Sequence, residues 1–252
     1  MRKVVFAILV ALVFAVPSFS VTYKIDFILG DVTVMKGKKS ITPDIGYVIK
    51  KGDKVITGKD SECSITIDDK GVLKLEEKSS ISFDEIGRIV NDYKLDKVSA
   101  KGNIIFSAKG AFSDKNRLGI KTETAFATVR GTEFDIETDG DSTTLYTLEG
   151  TVYIAPLIPG VRYGELIDNS IEVNENEKIT ITSLDVINAT SVFNEKGEFS
   201  FLESNKKSLT EAEKERFNKR LKMLKELQKQ RKSELQEKTK EYSKDPSKLF
   251  DE

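Results

Sequence analysis

The chain has 252 residues, with 40 Lys+Arg against 41 Asp+Glu, one Cys and no His or Trp. Without an imidazole there can be no Ser-His-Asp or Cys-His hydrolysis and no His-containing metal site. A lone Cys63 excludes an intrachain disulfide and a thiolate cluster, so a non-enzymatic chain is expected, with no cofactor and no metal.

Arg2 and Lys3 precede an apolar run from Val4 to Val16, and Ser18 and Ser20 follow with one residue between them. A charged start, a short apolar core and a small-x-small site predict a signal peptide over residues 1–20. Thirteen apolar residues would span only about 20 Å as a helix, short of the ~30 Å hydrocarbon core. No Cys lies near the cut, so a lipoprotein is not expected. The mature chain is expected in the periplasm or cell envelope, with no integral span.

From Tyr23 to Phe201 short segments alternate apolar and polar residues, which predicts an all-β domain over 21–205. Ser64-Ile65-Thr66-Ile67-Asp68 and Val72-Leu73-Lys74-Leu75-Glu76 flank Asp69-Lys70-Gly71, read as a hairpin whose Gly71 supplies the positive φ. Phe134-Asp135-Ile136-Glu137 and Thr144-Leu145-Tyr146-Thr147-Leu148 flank Asp139-Gly140-Asp141, a second hairpin signal. That Asp-Gly-Asp lacks the spacing and distal Glu of a Ca²⁺ loop. Three glycines, Gly30, Gly102 and Gly150, each lead into a strand whose second and fourth following residues are apolar. Their recurrence favours a β-roll or β-helix-like stack of short strands over a two-sheet sandwich.

Residues 52–154 resemble the FecR domain, a periplasmic β family associated with iron-dicitrate sensing. Gly52-Asp53-Lys54-Val55-Ile56-Thr57-Gly58 is similar to the family's opening. Thr122 to Phe134 (TETAFATVRGTEF) is similar to its T-x-x-a-x-a-x-v-R-G-T-x-F signature, and Glu149-Gly150-Thr151-Val152 to its closing E-G-x-V. The signature residues are Thr122, Ala125, Ala127, Val129, Arg130, Gly131, Thr132, Phe134, Glu149 and Gly150. They read as structural: small Ala residues allow close approach of a neighbouring layer, and Gly131 permits a bend. Arg130 reads as a clamp whose guanidinium lies against a carboxylate or carbonyls, since buried charges are paired.

FecR-type sigma regulators carry a cytoplasmic segment before their membrane span, whereas only three residues precede the apolar run here. The resemblance therefore implies the periplasmic module alone, a binding or scaffolding unit with an envelope protein partner. A relay through a separate membrane-bound sigma regulator is the alternative.

Residues 206–252 hold 15 Lys+Arg and 10 Asp+Glu, a net charge of +5 against −8 for residues 21–205. An acidic body is a poor ligand for nucleic-acid phosphates. The tail predicts a helix of about 35 residues, opened by a capping box at Ser208…Glu211 or, in an alternative register, Thr210…Glu213. Phe217, Leu221 and Leu224 share one face, while Leu227 and Leu235 drift from it. The heptad seam then meets Gln228 and Arg231, so a coiled-coil dimer is not expected. A short apolar stripe that packs on the β body fits better.

Overall fold

The computed structural model describes residues 21–244 except 69, 91–92, 109, 114 and 195–198. The predicted leader (1–20), Asp69 of the first hairpin, the side chains of Leu227, Gln228, Arg231 and Leu235, and the last eight residues lie outside it. Alternation produces two layers of strands that share one long member. The first layer runs β4 (Val48–Ile49), β1 (Tyr23–Leu29), β6 (Glu62–Ile67), β7 (Gly71–Leu75), β9 (Tyr93–Ser107), β12 (Glu133–Thr138), β13 (Ser142–Glu149), β16 (Glu177–Thr182) and β17 (Lys206–Ser208). The second runs β3 (Lys39–Ile41), β2 (Val32–Lys36), β5 (Asp53–Thr57), β8 (Ser80–Val90), β9 again, β10 (Asn116–Lys121), β11 (Ala125–Val129), β14 (Val152–Pro156) and β15 (Ile171–Val173). The β9–β10 pair is parallel and the other pairs are antiparallel. The all-β stack of short strands is present, and its chain winds repeatedly between two layers.

Each described crossing between layers carries a residue with positive φ. They are Gly30, Gly46, Gly52, Asp60, Lys78, Gly102, Gly110, Gly131, Gly150 and Asn176. A left-handed residue turns the strand sharply enough to leave one layer and enter the other, and glycine does so without a Cβ penalty. Gly102 is the strictest case, because β9 changes layer there without a loop. Its φ is +88°, and a Cβ would sit 2.8 Å from Ser79 Cα and 2.5 Å from Ser79 Oγ. The recurrent glycines thus mark corners.

Inward residues of both layers form one core, with Tyr23 of β1 edge-on to Phe83 of β8 at 4.8 Å and Phe106 stacked on Phe134 at 4.7 Å. Cys63 belongs to this core. Burial, with a smaller contribution from Asp26, pushes its thiol up to about 12, which leaves no thiolate for intermolecular exchange near neutral pH.

The hairpin between β6 and β7 forms, but its positive φ sits on Asp68 at 49°, not on Gly71. Gly71 instead opens β7 against a neighbouring backbone, where a Cβ would lie 2.9 Å from Ser107 O. In the second hairpin Gly140 has φ +101°, and Asp139 Oδ1 accepts bonds from the backbone N–H of Asp141 and Ser142.

Strand periodicity missed three helical pieces of the body: α1 (Tyr163–Asp168), α2 (Ser183–Asn194) and a 3-10 segment (Phe199–Asn205). A signal for α2 was present. Thr182 and Asp185 form a reciprocal capping box, with Thr182 N–H on Asp185 Oδ2 at 2.8 Å and Asp185 N–H on Thr182 Oγ1 at 3.2 Å. The tail helix α3 spans Glu211–Lys244, and its cap takes the Thr210…Glu213 register, because Ser208 is held in β17. Residues 206–208 therefore belong to the sheet. Among the described residues no helix is long and apolar enough to cross a membrane.

Candidate functional site

Of the signature residues, Arg130, Gly131, Thr132, Glu149 and Gly150 gather at two adjacent corners, while Ala125, Ala127 and Val129 lie along β11 and Thr122 precedes it. β11 is buried throughout, and Phe126 packs on Tyr163 of α1 at 4.6 Å. Gly131, with φ +77°, takes the chain from β11 to β12. Thr132 beyond it is buried, and Gly150 lies so close that a Cβ there would meet Thr132 Cγ2 at 2.9 Å. The Arg-Gly-Thr and Glu-Gly corners thus stack on one another, with Glu133 opposite Glu149 in the ladder. Thr122 joins a buried hydroxyl cluster: its Oγ1 lies 2.7 Å from Thr143 Oγ1, and Thr124 donates to the same oxygen at 2.8 Å.

Arg130 departs from expectation in its burial alone: it stands exposed at the corner, so no desolvated charge has to be offset there. The strand ends one residue earlier, which carries the side chain out of the layer.

The arginine that is held in a buried clamp is Arg220 of α3, a residue the signature did not include. The helix lies across the outer face of the first layer. Phe217, Leu221 and Leu224 are buried against Val72 of β7 and Ile105 of β9, with Leu148 of β13 at the margin. Burying three such side chains contributes roughly 1.5–3 kcal/mol each.

Beside this stripe, β12 turns Glu133, Asp135 and Glu137 outward while Phe134 and Ile136 face the core. Arg220 is 14% exposed and Asp135 is fully buried. Its Nη1 donates to Asp135 Oδ2 at 2.8 Å, its Nε to Glu76 Oε1 at 2.7 Å and its Nη2 to Asn103 Oδ1 at 2.9 Å. Around it, Arg216 meets Glu137 at 3.0 Å, Lys225 meets Glu133 at 2.7 Å and Lys178 meets Glu213 at 2.5 Å. Tyr146 donates to Glu137 at 2.9 Å, with the Arg216 guanidinium over its ring. The basic tail is thus docked on the acidic stripe of the body.

Burial pushes the Asp135 carboxyl up to about 7; Arg220 pulls it down, and Glu137 and Glu76 push it up. Glu213 goes the other way: against some burial, hydrogen bonds from Lys178 and Thr210 hold it down to about 2. The two carboxyls have opposite linkage. Asp135 binds its proton more tightly folded than unfolded, so its contribution is full below about pH 4 and is lost as pH rises through about 7. The contribution of Glu213 is present above about pH 4.5 and is lost as pH falls towards 2. Thermal stability should therefore be greatest in mildly acidic solution. In Asp135→Asn the decline between about pH 5 and 7 should flatten, as read by melting temperature across that range. An unchanged slope would contradict the assignment.

Among the described residues no group of three or more His, Cys, Asp or Glu is placed to hold a metal.

The family model described as FecR protein matches residues 53–153. No curated protein matches the chain. Two crystal structures of a putative anti-sigma factor from Parabacteroides distasonis ATCC 8503, at 1.65 Å and 2.50 Å, are similar at 14% identity. Their TM-scores are 0.40 and 0.39, and each match covers 51% of this chain and 54% of that one. The likeness thus spans about half the length of either protein.

Proposed function

We propose, from the premise that residues 53–153 are a FecR domain, that this chain is an exported, non-enzymatic interaction module of the periplasm or cell envelope. It acts through contacts with an envelope protein. The observation that carries the reading is the outer face of the first layer. There an apolar strip of Val72, Ile105 and Leu148 runs beside a stripe of carboxylates, and an amphipathic basic helix occupies both. Such a face recognises a helix by apolar anchors and charge complementarity, which is protein recognition and requires no reacting group. The leader-like residues 1–20 support export.

The second reading is a cell-surface signalling relay that communicates with a separate membrane-bound sigma regulator, and the FecR domain itself favours it. Cross-linking in envelope fractions tests both, comparing the full chain with Arg220→Glu. A module that works through this face should exchange its cross-linked partners when the helix is released. Identical partners in the two chains, or recovery of the protein only from the cytosol, would refute the reading. A sigma regulator among the partners would select the relay.

A further inference from the structure

A second feature lies on the opposite outer face, in the second layer. Ladder register places Lys54 opposite Ser82, Ser82 opposite Ser99 and Ser99 opposite Lys121, with Ser80 opposite Lys101 two residues away. These residues alternate with Val55, Ile81, Phe83, Val98 and Ile120 of the core, so they share the outward face. Short serines in β8 and β9 between longer lysines in β5 and β10 leave an open trough of about 390 Å³, lined also by Glu123 and Leu157.

Its charges are unevenly satisfied. Lys101 lies 3.7 Å from Glu123, and Ser99 donates to Asp84. Lys54 and Lys121 have no ion pair among the described residues. Ser80 is only 9% exposed, and no described residue pairs with its hydroxyl. That hydroxyl lines the trough and is free to donate into it. An apolar or basic ligand would leave the lysines and this donor unmet, whereas an oxyanion accepts from both.

We infer that the trough is a binding site for a ligand with two oxyanionic groups, phosphate or carboxylate. One group lies towards each of Lys54 and Lys121, with Ser80 and Ser82 donating between them. The two lysines stand three strand spacings apart, about 14 Å, so the ligand is elongated, and the lysine stems let their tips close on it. This site is independent of the face that α3 covers.

The test is an NMR titration of the full, isotope-labelled chain at low salt, with pyrophosphate as the phosphate probe and digalacturonate as the carboxylate probe. Saturable shifts are expected at Lys54, Ser80, Ser82, Ser99 and Lys121. The double change Lys54→Gln and Lys121→Gln should weaken binding by about tenfold or more, and Ser80→Ala by severalfold. The exposed pair Lys38→Gln and Lys39→Gln should leave it within about twofold when the comparison is made at about 0.15 M salt, where charges more than a Debye length of about 8 Å from the ligand are largely screened. Saturation by one probe assigns the group, and saturation by both assigns oxyanions generally. Absence of saturable shifts with either probe would overturn the proposal. So would shifts centred elsewhere, or an equal loss in the Lys38/Lys39 control.

Discussion

Arg220→Met is expected to free the C-terminal helix from the sheet, and its effect should exceed that of any other single charge removed from α3. Among the described residues, Arg220 is the one cation of the helix whose partner, Asp135, is fully buried. Removing one member of such a pair leaves an uncompensated charge, at a cost of about 3–5 kcal/mol. Asp135 has an alternative to bearing that cost: once the helix leaves, water reaches the carboxylate. The loss should therefore appear as undocking, with rapid proteolysis and amide exchange within residues 211–226, while the β core keeps its protection. Arg216→Met should cost about 1 kcal/mol or less, because both members of its pair with Glu137 reach solvent. Lys225→Met should cost more than that but less than Arg220→Met, because its buried partner Glu133 also accepts from Ser107 Oγ at 3.0 Å. Adding Asp135→Asn to Arg220→Met should recover part of the loss, since an amide carries no charge to desolvate. A helix that stays protected in Arg220→Met would show that the apolar stripe alone holds it.

Gly102→Ala should damage the fold itself. The substitution adds a methyl where the nearest backbone carbon, Ser79 Cα, is only 2.8 Å away, in a conformation with φ +88° that an L-residue occupies at a cost. Strain of about 1–2 kcal/mol from the left-handed backbone adds to about 1–3 kcal/mol of overpacking. Relief by movement would shift Ser79, whose Oγ bridges Asn103 N–H at 2.9 Å and Glu77 O at 3.1 Å. Equilibrium unfolding in urea should show a loss of roughly 3 kcal/mol or more. Gly140→Ala is the control: its φ is +101°, but nothing lies within 4 Å of an added Cβ, so only the conformational part should be lost. Equal losses in the two variants would remove the close approach from the account.

Much of the body was legible because a half-buried strand shows its faces in alternate residues. Phe134-Asp135-Ile136-Glu137 reads directly as apolar in, acidic out, and the three recurring glycines mark layer corners. The same alternation concealed α2, whose Thr182…Asp185 cap was the clearer signal. For the tail, composition gave the helix, Phe217, Leu221 and Leu224 gave its buried stripe, and the opposite charges of tail and body made docking testable. What could not be read was the partner of each charge. Arg220 and Asp135 lie 85 residues apart, and no local pattern distinguishes Arg220 from the exposed cations around it. Arg130 drew attention because it interrupts an apolar run, yet the strand end places it in solvent. Sequence spacing reports which way a side chain faces along an element; it does not report where the element stops or what crosses over it.

The central claim is that the basic helix is seated on the acidic outer face of the first layer with Arg220 as its anchor. A double-mutant cycle on Arg220→Met and Asp135→Asn, read by hydrogen exchange of the α3 amides from Lys214 to Leu224, tests it most directly. The account predicts strong protection in the unaltered chain and a coupling between the two sites of about 2 kcal/mol or more, within the range for contacting charged groups. Amides that exchange as in an isolated helix, or a coupling near zero, would contradict it.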